Sequence, residues 1–173
     1  FDTVCRRVVE PGTPIASVAP LTEAAYQPGG TTALYDAIAE TVAAMDAWLP
    51  EGGDWRALCV ILTDGLENSS RSQTKETIKA LIEAREATDR WTFTYLGANQ
   101  DAWAEAAKMG MAAGNVAGYA VADMAGTMRM AAASTVTYQA LMQRQSTGFY
   151  HNPPLPDDPR TWTDNKTDGS KDK

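Results

Sequence analysis

Residues 57–62, ALCVIL, are apolar without a break, and Thr63, Asp64 and Gly65 follow at once. An amphipathic helix would interrupt such a run every few residues, and a half-buried strand would interrupt it at every second one. A short run with no polar position matches a strand covered on both faces, the pattern of parallel sheets with helices above and below. Its end is as informative as its body. A carboxylate closing a buried strand is costly unless something pairs with it. The pairing group is a metal ion, a set of backbone amides or a basic side chain.

The flanking segments complete an α/β pattern. Upstream, TVCRRVV has strand-forming residues and leads through the turn EPGTP and the extended IASVAPL to YQPGGTT, a glycine turn running into a helix. In that helix Leu34, Ile38, Val42, Met45 and Leu49 recur at helical spacing, and PEGGD ends it. A second amphipathic helix follows the apolar run, with Ile78, Leu81 and Ile82 inward and Ser72 as its N-cap. WTFTYLG is another strand, and NQDAWAEAAKMG another helix, stopped by Gly110. Residues 121–145 form a long last helix with Met124, Met128, Thr135, Tyr138 and Met142 along one side, packed as core. Helices alternating with apolar strands imply layers around a mainly parallel sheet, in which 57–63 and 91–96 are adjacent, parallel and buried between helices. Residues 1–146 form the domain. Residues 147–173, rich in Pro, Asp and Lys, form a flexible tail in which Trp162 is the single apolar docking point.

Charge and motif content narrow the function. Fifteen Lys and Arg against 22 Asp and Glu, a net charge of −7, argue against nucleic acid, since no basic cluster could neutralise several phosphates. No apolar stretch reaches the length of a membrane span and no secretory signal is visible, so a cytoplasmic location is expected. Cys5 and Cys59 sit in apolar stretches and are expected as reduced core residues. His151, the single histidine, lies in the tail, which denies the core a Ser-His pair. The G-x-S-x-G, G-x-x-x-x-G-K-[ST] and G-x-G-x-x-G motifs are absent, and no enzyme activity is expected.

In open α/β sheets ligands bind beyond the carboxyl ends of the strands. Asp64 ends a strand there, and Thr31 and Thr32, between Gly29-Gly30 and a helix, face the same edge. A carboxylate with hydroxyls is a hard oxygen set suited to Mg²⁺. The alternatives are structural. Asp64 can serve as a turn residue, and Thr31 or Thr32 as a helix N-cap. Asn68, Ser69 and Ser70 can be loop hydrogen-bonders, Asp36 a helix-dipole carboxylate, and Asn99 and Asp101 loop and cap residues.

PGGTTALYDAI followed by VILTDGLENSS resembles the second and third metal-site motifs of the von Willebrand factor type A domain. WTFTYLGANQDAWAEAAKMG is also similar to bacterial and phage-type members, so the likeness spans roughly residues 1–120. It implies a three-layer Rossmann-like fold, with a mainly parallel sheet between helices. It implies a metal-ion-dependent adhesion site in which Thr32 and Asp64 are ligands of Mg²⁺ or Mn²⁺, with Thr31, Gly65 and Asn68 around them. The partner implied is a protein whose acidic side chain completes the coordination. The family's D-x-S-x-S loop does not precede FDT, which is similar to the end of the family's second strand. The fold is therefore expected to be N-terminally incomplete, lacking the first strand and helix, and to hold its cation weakly. DGSKD at 168–172 lies in the tail and is not that loop. The expectation is a protein-binding module with a partial metal site. The alternative is a metal-free structural component of a phage particle or larger assembly.

Overall fold

The computed structural model describes residues 1–22, 24, 29–98, 102–140 and 147–150. Four helices, α1 Leu34–Trp48, α2 Lys75–Glu86, α3 Ala102–Lys108 and α4 Met124–Ala140, accompany three strands, β1 Ala57–Thr63, β2 Trp91–Ala98 and β3 Val116–Tyr119. The strands form one parallel sheet in the order β1-β2-β3. β1 and β2 are adjacent and parallel, as expected, with Ala57 beside Trp91 and Thr63 beside Gly97, and Tyr95 lies beside Val116. The class is α/β.

Alternation along the strands sorts the two faces. Ala57, Ile61, Trp91, Phe93 and Tyr95 join one core with Leu34, Ile38 and Val42 of α1, Ile78 and Ile82 of α2, and Ala102 and Ala106 of α3. Trp91 and Phe93 stack with ring centroids 5.6 Å apart. On the opposite face Tyr138 of α4 shares a buried 3.0 Å hydrogen bond with Thr92, and Tyr150 donates to Thr94 across 3.4 Å. The inward residues expected in α1 and α2 are inward, although Met45, Leu49 and Leu81 are only partly covered.

Four local expectations are corrected. TVCRRVV forms no strand: no strand lies beside it to supply a ladder, and Asp2 and Thr3 bond to the segment leading into α1 instead. The N-cap of α2 is Thr74, not Ser72, because Thr74 and Thr77 exchange side-chain-to-amide hydrogen bonds in a capping box. The last helix opens with a 3-10 turn, Val121–Asp123, and Met124 and Met128 of the expected inward side are 37% and 41% exposed, whereas Tyr138 of that side is buried. Its buried side carries Thr127, Ser134 and Thr137. The hydroxyls of Thr127 and Thr137 bond back to carbonyls one turn earlier, so that small, polar face is buried without an unmet group at either threonine. β3, finally, is a strand that its short sequence VAGY did not announce.

Past the expected domain boundary, Phe149 is fully buried and its amide donates to Asn115, so residues 147–150 pack with the core. Met142, His151 and Trp162 lie outside the described residues, as do Asn99 and Asp101. Cys5 and Cys59 are free thiols, and burial pushes that of Cys59 up to about 12.

Candidate functional site

The two motifs meet at the carboxyl edge of β1. Thr63, the last residue of the strand, is buried, and its hydroxyl both donates to the Gly65 carbonyl (3.0 Å) and accepts from the Gly65 amide (3.2 Å). That bracket turns the chain sharply and leaves Asp64 at the tip, exposed. Gly65 then passes directly beside the Thr32 hydroxyl, where a Cβ on Gly65 would collide with Oγ1. The close approach favours glycine here, and it places Thr32 next to the Asp64 turn.

Asn68 fixes the same pair of segments from the other side. Its side-chain oxygen accepts the Thr32 amide at 2.8 Å, while its own amide donates to the Thr32 carbonyl at 3.1 Å. Thr31 is tied differently: its amide and its hydroxyl both bond to the Thr3 hydroxyl, at 2.9 and 3.1 Å. Neither threonine caps α1 with its hydroxyl, because the helix begins later and its N-cap is Ala33.

The capping comes instead from a residue that sequence reasoning passed over. One oxygen of Glu67 accepts the Tyr35 amide (2.9 Å) and the Ser70 hydroxyl (2.8 Å), and the other accepts the amides of Ser69 (2.9 Å) and Ser70 (2.8 Å). The Ser70 hydroxyl in turn accepts the Asp36 amide at 3.1 Å. Asp36 returns the contact, its carboxylate accepting the amides of Arg71, Ser72 and Gln73. Two carboxylates thus lace the start of α1 to the loop between β1 and α2. Asp36, expected to act on its own helix dipole, also holds this loop.

These bonds set the electrostatics. Burial alone raises the Glu67 carboxyl, but the Ser70, Tyr35 and Ser69 donors outweigh it and leave it below the usual carboxylate range. The amides of Arg71, Gln73 and Ser72 hold Asp36 low as well. The Asp64 carboxylate, in contrast, receives no hydrogen bond or ion pair from the described residues. The sequence-based expectation of a buried, paired carboxylate is thereby corrected: exposed at the turn, Asp64 is open to water and needs no pairing group.

At the start of α1, the amides of Thr31, Thr32, Ala33, Tyr35 and Asp36 are all taken by protein oxygens. A phosphate at a helix N-terminus needs such amides free. A hard cation needs oxygens, and here the exposed Asp64 carboxylate and the Thr32 hydroxyl are of the right type. Their number is short of six, and no group of three acidic, His or Cys side chains suited to a metal exists among the described residues. Within them, no helix is long and apolar enough to cross a membrane.

Comparisons of the chain with protein families, with characterised proteins and with solved structures find no match.

Proposed function

We propose that this chain is a protein-binding module of the von Willebrand factor type A kind, built on a three-layer Rossmann-like fold. Its contact point is the Asp64 turn at the carboxyl edge of the sheet. One observation carries most of the proposal: Gly65 packs beside the Thr32 hydroxyl while the neighbouring Asp64 carboxylate, exposed at the turn, has no hydrogen-bond or ion-pair partner among the described residues. Two motifs separated by about 30 residues converge there, as the resemblance implies. Thr32 and Asp64 would hold Mg²⁺ or Mn²⁺, and the cation would accept an acidic side chain of the partner protein. Thr31, Gly65 and Asn68 shape the site, Asn68 by holding the Thr32 backbone.

A second reading is a metal-free structural component of a larger assembly. It is favoured by the loop itself, which Glu67, Asn68 and Asp36 hold in place through hydrogen bonds within the protein.

Thermal melting in Mg²⁺ and in chelator separates the two. Two protein oxygens leave Mg²⁺ largely hydrated and weakly held. With Mg²⁺ near its dissociation constant the stabilisation is about 0.4 kcal/mol, a rise of about 1–2 °C in Tm. Asp64→Ala should abolish the rise and Thr32→Ala should reduce it. Identical melts in Mg²⁺ and chelator would leave the scaffold reading in possession of the field.

A further inference from the structure

At the amino ends of β1 and β2, far along the strands from the Asp64 turn, two arginines share one cavity. It measures about 310 Å³ and is walled by residues 53–56 and 88–90. Ala57 pairs with Trp91, and the Ala57 amide donates to the Arg90 carbonyl at 2.9 Å. Arg56 and Arg90 are therefore neighbours across the two strands, each immediately before a paired position. Like charges set side by side in this way are unfavourable unless something offsets them. Arg6, Arg7 and Arg85 each have a carboxylate partner. Arg56 and Arg90 have none among the described residues, although Asp54 and Asp89 line the same cavity. Arg90 is held instead over the Trp55 ring, 4.8 Å from its centroid. The ring is fixed in turn by its Nε1–H, which donates to the Pro50 carbonyl at 3.0 Å. Both arginines are half-buried, whereas Asp54 and Asp89 are exposed.

We infer that this cavity binds a small hydroxylated molecule carrying one phosphate group, of the sugar-phosphate class. A phosphate between the two guanidiniums turns their mutual repulsion into two attractions, and each planar fork can meet its oxygens with paired N–H donors. Half-buried charges are screened by water less than exposed ones, so the arginines outweigh the aspartates toward an anion seated against them. Asp54 and Asp89 narrow the class. They repel a bare anion, and their carboxylate oxygens, which accept no hydrogen bond from the described residues, suit hydroxyl groups on the body of a ligand. The cavity's volume stands at the lower end of the range of small-molecule sites. The site shares no residue with the Asp64 turn and lies at the other end of β1, so it stands or falls apart from the cation reading.

The experiment is an NMR titration of the full, isotope-labelled chain in chelator at fixed ionic strength, with ribose 5-phosphate, inorganic phosphate and ribose as probes. Ribose 5-phosphate should shift the signals of residues 53–56 and 88–91, the Trp55 indole among them. Inorganic phosphate should bind there about threefold more weakly, and ribose should leave the signals in place. Arg56→Ala should weaken ribose 5-phosphate by about tenfold. Arg90→Lys keeps a charge over Trp55 but loses the fork, and should weaken it by about threefold. Asp54→Ala should weaken ribose 5-phosphate yet strengthen inorganic phosphate, a reversal that loss of structure would not produce. Circular dichroism monitors the folding of each variant, and the Asp54→Ala comparison tests the site even where an arginine variant fails to fold. A folded wild type that binds no ribose 5-phosphate, shifts centred elsewhere, binding of ribose as tight as that of its phosphate, or an Asp54→Ala variant that changes both phosphates alike would overturn the inference.

Discussion

ALCVILT in β1 and WTFTYLGA in β2 lie side by side in one register, yet their surroundings differ sharply. Every residue of β2 is buried, with helices on one face and Tyr138 and Tyr150 on the other. In β1 only Ala57, Ile61 and Thr63 are buried, and Val60 is open to solvent. Both runs were expected to be covered on both faces. Composition reports what a strand tolerates, whereas its place in the sheet decides what it receives. β1 has a neighbour on one edge alone, and that open edge adjoins the turn where Asp64 is presented.

The largest effect should come from the covered strand. Phe93, fully buried, should cost about 3–5 kcal/mol when cut to Ala. Val60→Thr should stay within about 0.5 kcal/mol, as exposed substitutions do. Urea unfolding of both variants reads the contrast directly. A large loss at Val60 would mean that its side chain is covered.

The next effect concerns how the end of β1 is held. Glu67→Ala removes the acceptor for three amides and a hydroxyl, and should cost about 1–3 kcal/mol. Its pH dependence has a definite sign. The Glu67 carboxyl lies below its ordinary 4.5, so its contribution is full above that value and fades as pH falls through the lower folded value. Glu67→Gln should flatten that part of the acid limb of stability against pH. An unchanged acid limb would show that the carboxylate does not hold the loop.

A smaller effect tests the contact between the motifs. Gly65→Ala drives a Cβ into the Thr32 hydroxyl, a side chain that can swing aside, so a cost of about 1 kcal/mol is expected. Thr32→Ala in the same chain should recover most of it. Independent, additive losses at the two positions would place them apart.

Much of this was legible in the residues. The 3.6-residue pattern located α1 and α2, the apolar and β-forming runs located β1 and β2, and the glycines flanking two hydroxyl- or carboxylate-bearing stretches, Gly30 before Thr31 and Gly65 after Asp64, marked the edge. What escaped notice depends on distance along the chain. Glu67 caps Tyr35 from 32 residues away, and no local pattern connects them. The one available hint was negative, since the N-cap of α1 is Ala33, which has no side chain able to cap. The four residues of β3 include a glycine and are too few to show a period. In α4 the methionine spacing pointed to a core face, but Thr127 and Thr137 satisfy their hydroxyls on their own helix, and their side became the buried one.

The central claim is that the Asp64 turn and Thr32 make one cation site. Substoichiometric Mn²⁺ added to isotope-labelled protein broadens the NMR signals of nearby nuclei, and it reports even weak binding. The account predicts that broadening begins at residues 31–33 and 63–66, is displaced by excess Mg²⁺, and disappears in Asp64→Ala. Broadening spread evenly over the acidic surface, or unchanged by Asp64→Ala, would contradict it.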